Sequence, residues 1–219
     1  LKVWMSVTSQ PIQVTLLSLS GAALVLCTQN AFSAPVQGYV MSVQMTPAVC
    51  LIDSSKSKKR KCLEGYSLNI EGLYPEVAAR ECSSQSSAKL PPLQAKVVAR
   101  VMPDEAARVQ LWQGIGGCVP MNASQYFRMI INNADRINVP SVLTGQGTQS
   151  VQLSQLRSLF LKSNSGMSSK SVHFQCSNHQ GKSYLTEIKI CYDTAGRYKQ
   201  CGAGVESNCP NQFFIKGSY

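Results

Sequence analysis

The cysteines constrain this chain more than any other feature. Nine are present. One of them, Cys27, lies in residues 1–34, which read as a signal peptide. Lys2 gives a weak basic start, Leu16 to Cys27 is largely apolar, and Ala31-Phe32-Ser33 supplies small residues at the spacing a signal peptidase needs. The apolar run is short for a membrane span, so no transmembrane segment is expected once the leader is removed. A lipid anchor on Cys27 is the competing reading, and the bulky Leu26 before it argues against that. The other eight are Cys50, Cys62, Cys82, Cys118, Cys176, Cys191, Cys201 and Cys209. An even number behind an export signal implies four disulfides in an oxidising compartment, hence a secreted or periplasmic protein. Spacing alone leaves roughly a hundred pairings open. Zinc is the alternative use of such cysteines, but no C-x-x-C pair occurs and the only histidines are His173 and His179, so no metal or other cofactor is expected. Residues 35–219 are a natural size for a single domain.

Two stretches carry the functional signal. The first is Tyr66 to Glu76, YSLNIEGLYPE. Its alternation of apolar and polar positions predicts a half-buried strand, with Leu68 and Ile70 inward and Asn69 and Glu71 outward. Gly72 permits a close backbone approach, and Pro75 ends the strand. The second is Gln110 to Cys118, QLWQGIGGC. Together they resemble the two signature segments of the ribonuclease T2 family, F-x-I-H-G-L-W-P and H-E-W-x-K-H-G-[TS]-C. Ile70, Gly72, Leu73, Pro75, Trp112, Gly116 and Cys118 match the frame. The catalytic positions do not match: Glu71 stands for the first histidine, Gln110 and Ile115 for the other two, Leu111 for the acid and Gly114 for the lysine.

The rest of the chain fits the same resemblance from about Gly38 to Ile215. Gly38 to Cys50 reads as a buried strand ending at Pro47, similar to the family's opening strand, with Met45 where a Trp is usual. Asp104 to Trp112 has helical spacing, with two acids at its start that suit the helix dipole. A second helix carries Tyr126, Phe127, Ile130, Ile131 and Ala134 on one side, with Ser124 as its cap. Asn122-Ala123-Ser124 also matches a glycosylation sequon beside that helix start. Val151 to Lys162 is amphipathic, with Leu153, Leu156, Leu159 and Phe160 inward. Val172 to Cys176 and Tyr184 to Cys191 alternate as strands joined by the polar turn SNHQGK, and Phe213 to Ile215 reads as a last short strand. The resemblance implies an α+β fold with a central antiparallel sheet and flanking helices. It also implies the pairings Cys50–Cys62, Cys82–Cys118, Cys176–Cys209 and Cys191–Cys201.

Ribonuclease T2 enzymes cleave single-stranded RNA by attack of the ribose 2′-oxygen on its own phosphate, through a 2′,3′-cyclic product and without metal. Histidine suits both proton roles because its pKa lies near neutrality. Each positioned proton-transfer group is worth ~10²–10⁴ in rate, and each electrostatic donor ~10²–10³. Residues 110, 111, 114 and 115 supply no proton-transferring or charged side chain, which points to a catalytically inactive pseudoenzyme. Glu71 is the one remaining base for an active endoribonuclease; His173 and His179 are expected outside the cleft. With Lys2 set aside, 20 basic residues face 11 acidic ones. That charge suits single-stranded RNA or another polyanion, and an acidic protein partner equally. The basic run Lys56, Lys58, Lys59, Arg60 and Lys61 is either a solvated loop or an anion-binding patch. Tyr74 and Trp112 are candidates to stack on a base, Trp112 being also a natural core residue. A secreted effector that uses the fold as a scaffold is the third functional class.

Overall fold

The computed structural model describes residues 35–78 and 81–218. The leader and Cys27 lie outside the described residues. The chain opens with β1 (Tyr39–Met45), whose residues are nearly all buried because strands flank it on both sides. The strand ends two residues earlier than Pro47. That proline instead sits in the first turn of α1 (Thr46–Ile52), where its missing N–H and fixed φ cost nothing. A short 3-10 turn and α2 (Arg60–Leu63) follow, closed back onto α1 by Cys50–Cys62.

Next comes β2 (Leu68–Pro75), antiparallel to β1. The pairing is regular from Met45↔Leu68 to Val43↔Ile70, then resumes at Ser42↔Gly72, so Glu71 is the extra residue of a β-bulge. The expectation that Asn69 faces outward is corrected: it is buried, accepting from Thr46 Oγ1 at 2.9 Å and donating to the Ile70 carbonyl. A buried amide is tolerated because both ends are satisfied.

Three helices follow: α3 (Pro92–Ala99), α4 (Glu105–Ile115) and α5 (Ala123–Arg136). Asp104 caps α4 by accepting from the Ala107 N–H. The cap of α5 is Asn122 rather than Ser124, in a capping box with Gln125, so the sequon asparagine is held by its own helix. Ser124 instead bonds Gln94 of α3. Tyr126 and Phe127 are fully buried as expected.

β3 (Thr148–Gln152) takes Val151 and Gln152 from the expected helix, which starts later as α6 (Leu153–Ser163). β4 (Val172–His179) and β5 (Lys182–Tyr192) form a hairpin longer than predicted. Its turn is only Gln180-Gly181, both at positive φ, the geometry of a two-residue hairpin turn that matches strand twist. β6 (Gln212–Lys216) completes the set.

The six strands form one sheet in the order β2-β1-β5-β6-β3, with β4 also on β5. Every pairing between these six strands is antiparallel except the parallel bridge Tyr184↔Phe214 between β5 and β6. All four disulfides join the pairs the resemblance implied. The core lies between the sheet and the helices, with Met41, Leu73, Tyr126, Phe127, Phe160 and Ile188 among its buried members. No helix among the described residues is long and apolar enough to cross a membrane.

Candidate functional site

The bulge places Glu71 at the rim of the sheet with its side chain 38% exposed. Its Oε2 lies 3.2 Å from Lys61 Nζ. Lys61 is buried, and it also donates to Gln44 Oε1 on β1. Cys50–Cys62 fixes the residue after Lys61 and so holds this ammonium over the strand. A long aliphatic stem lets lysine reach such a position while its head keeps charged and polar partners.

The facing wall is α4. A Cβ placed on Gly72 would lie 2.9 Å from Leu111 Cδ1, so the leucine packs directly on the bare glycine backbone. Leu111 and Ile115 are each 9% exposed, on the buried side of the helix. Gln110 and Gly114 are exposed, and a Cβ on Gly114 would meet open space. The point where α4 meets β2, at Gly72, is therefore covered by hydrocarbon, while Glu71 itself shares a small space with Asp104 and Ala107 at the start of the helix. Tyr126 locks the strand from below: its hydroxyl accepts from the Leu73 N–H at 3.0 Å and donates to the Leu73 carbonyl at 2.9 Å. Burial pushes that hydroxyl's pKa far above its ordinary value.

On the other side of Glu71 an open basin of about 620 Å³ lies on the sheet face. Tyr74, Ser42 and Gln44 line it, together with Glu187 and Lys189 of β5. Ser42 Oγ donates to Glu187 Oε1 at 2.5 Å, and Lys189 Nζ lies 3.9 Å from Glu187 Oε2. Asp53 and Lys56 close the rim, 3.8 Å apart. The basin thus pairs acids with lysines rather than presenting one sign of charge. Tyr74 is 40% exposed and retains a face for a ligand. Burial raises its hydroxyl pKa, and the carboxylates of Glu71 and Glu187 push it further.

The basic run divides. Lys56 pairs with Asp53, Arg60 with Glu64 at 2.5 Å, and Lys61 with Glu71. Lys58 and Lys59 remain exposed. Three of the five cations thus already have a carboxylate, which leaves Lys58 and Lys59 as the members of the run without an ion pair among the described residues. Trp112 is corrected as a stacking candidate: it is 1% exposed, its Nε1 donates to Ser86, and its ring lies 5.7 Å from Tyr126. His173 pairs across the sheet with Lys189 but does not line the basin, and His179 sits at the far end of β4. Burial lowers the His173 pKa.

Sequence reasoning missed the link from Lys61 to Glu71, since one lysine in a charge run looks like its neighbours. It also passed over Glu187 and Lys189. Their alternation in YLTEIKIC did place both on one face, and the β1 pairing brings that face beside Ser42. Among the described residues no three metal-ligating side chains converge.

The family model for the ribonuclease T2 family matches residues 37–201. No curated protein matches the chain. Solved structures do. A variant of ribonuclease MC1, an enzyme of bitter gourd seeds, in complex with 5'-UMP is 16% identical, covering 82% of this chain and 98% of its own, with a TM-score of 0.64. RNase NT in complex with 5'-AMP is 15% identical, covering 84% and 99%, with a TM-score of 0.63. An RNase-related protein from Calystegia sepium is 13% identical, covering 83% and 98%, with a TM-score of 0.62. With its two signature segments on β2 and α4, its four disulfides in place and the family model spanning most of its length, the chain belongs to the ribonuclease T2 family.

Proposed function

We propose that this chain is an exported, non-catalytic member of the family that acts by binding an anionic partner, with single-stranded RNA the first to test. The observation that carries the reading is Leu111 packed on Gly72. A transferred proton needs a second titratable partner beside Glu71, and the α4 positions that the family resemblance assigns to that role carry Gln110, Leu111, Gly114 and Ile115, none with a titratable side chain. On β2, Glu71 is already engaged by Lys61. The positive net charge and relatives that bind nucleotides support an anionic ligand. Lys58 and Lys59 are the cations of the run left to meet it, with Tyr74 beside the basin as a stacking surface. An export leader over residues 1–34 and the four disulfides fit a secreted or periplasmic location.

Labelled single-stranded RNA incubated with the mature protein is expected to remain uncut and to be retained in a salt-dependent way. Replacing Lys58 and Lys59 by glutamine should weaken retention and flatten the salt slope by up to ~0.7 per lost contact. An unchanged slope removes these lysines from the interface. Absence of retention removes RNA and leaves an acidic protein partner.

A second reading rests on the same Lys61. Its ammonium stands 3.2 Å from Glu71, so a carboxylate base and a cationic donor do occur together. On that reading the chain is an endoribonuclease with Glu71 as base. Cleavage giving 2′,3′-cyclic phosphates, abolished by Glu71→Gln, would establish it and end the non-catalytic proposal.

A further inference from the structure

The core side of the sheet holds a second space, distinct from the basin. Ile70 and Ile188 of the sheet, Ala134 of α5 and Phe160 of α6 line a cavity of about 150 Å³. The walls are aliphatic and aromatic, and no acidic side chain lines them. Their one buried polar residue, Asn69, has its amide hydrogen-bonded to Thr46 and Ile70, so it asks nothing of a ligand. A cavity of this size and lining accepts a benzene-sized guest.

The mouth is of another kind. Val139, 40% exposed, and Arg100 stand on the lining where it meets solvent. Arg100 ends α3 and is placed there by its neighbour, because the Ile70 N–H donates to the Val101 carbonyl at 2.7 Å and ties the helix end to β2. The Arg100 guanidinium makes no side-chain hydrogen bond or ion pair among the described residues. Arg108 shows the contrast: it is buried and spends its guanidinium on the Met102 carbonyl. An unpaired fork of donors beside an apolar hole fits a molecule with a hydrocarbon body and an anionic head. A carboxylate matches that fork in two parallel hydrogen bonds.

We infer that this cavity binds a small apolar carboxylate, its single ring or short alkyl chain among Ile70, Ile188 and Phe160 and its head on Arg100. The inference stands apart from the RNA reading, since it uses the opposite face of the sheet.

Methyl NMR spectra of the mature protein, titrated with benzoate and separately with benzyl alcohol, test it. Benzoate is expected to give saturable shifts at the Val43, Ile70 and Ile188 methyls. Benzyl alcohol should reach the same methyls but bind more weakly, and Arg100→Gln should reduce benzoate affinity to that level, up to about fivefold for a solvent-facing charge pair. Ala134→Leu fills the cavity and should abolish both. Shifts that never saturate, or that fall outside these methyls, overturn the site. Equal binding of the two probes, with no effect of Arg100→Gln, overturns the carboxylate. Arg100 is exposed and its loss leaves the core intact, so the test holds even if Ala134→Leu does not fold.

Discussion

Glu71 on β2 keeps a charged neighbour in Lys61, whereas the stretch of α4 that faces the same strand buries Leu111 and Ile115. The two walls of one site therefore answer to different forces. The strand wall is electrostatic: a half-exposed carboxylate and a buried ammonium hold each other, with Gln44 taking a further hydrogen bond. The helix wall is hydrophobic and is fixed by contact with a glycine that has no side chain to intervene. Proton-transfer chemistry needs ionisable groups on both walls. Folding needs only that each wall be filled, and hydrocarbon fills one of them.

If the walls are held separately, their disulfides should be separable too. Cys82–Cys118 anchors the end of α4 and closes a 36-residue separation, against 12 for Cys50–Cys62 beside Lys61. In urea unfolding, the double substitution of Cys82 and Cys118 by serine is expected to cost about 4 kcal/mol, and that of Cys50 and Cys62 about 3. Only the second should disturb Lys61. Equal effects on both walls would mean that they form one unit.

The apolar wall can be broken at its contact. Leu111→Ala should cost about 2–4 kcal/mol through transfer and cavity terms. Gly72→Ala should cost about 1–3 kcal/mol, because its methyl meets Leu111 at less than contact distance. Combined, the two should cost less than their sum by roughly 0.5–3 kcal/mol. Strict additivity in a double-mutant cycle would deny the contact.

The electrostatic wall should give less. Glu71→Gln strips Lys61 of its countercharge, but the carboxylate is 38% exposed and Gln44 remains, so about 1 kcal/mol is expected. High salt should shrink that difference and leave the Leu111 effects untouched. A loss as large as that of Leu111→Ala would show that both walls are load carriers of the fold.

The smallest effect lies off both walls. Burial lowers the His173 pKa, with Arg157 and Lys189 pushing the same way and the Lys170 carbonyl and Glu206 opposing. The unfolded chain takes up a proton near pH 6.5 and the folded one only at lower pH. Stability should therefore fall as pH drops through about 6.5, and the decline should level off once the folded imidazole titrates. Urea midpoints compared above and below this window, in the wild type and in His173→Gln, measure the difference. A variant with the same pH limb would assign it elsewhere.

Much of this was legible from residue order. Two-residue alternation marked β2, β4 and β5, and the substitutions at 71, 110, 111, 114 and 115 could be read from two short motifs. What escaped depended on distant partners. Asn69 looks outward by alternation, yet Thr46, 23 residues away, makes its burial affordable. Lys61 differs from Lys58 only because a disulfide and Gln44 receive it. Arg100 has nothing in its own helix to mark it. Its meaning comes from Ile70, Ile188 and Phe160, which the sheet and α6 bring to the same cavity.

The bulge has a consequence for how such a protein can change over generations. Glu71 is the one residue of β2 without a counterpart on β1; remove it, and Ile70 and Gly72 still face Val43 and Ser42 in an unbroken ladder. Position 71 is thus a socket that the β1–β2 ladder does not inspect, its occupant answering to Lys61 rather than to the strand pairing. A histidine, a glutamate or nothing at all leaves Leu73 in the core and Tyr74 outside. A lineage can change what this scaffold does at that point, by substitution or by deletion, without first relearning how to fold.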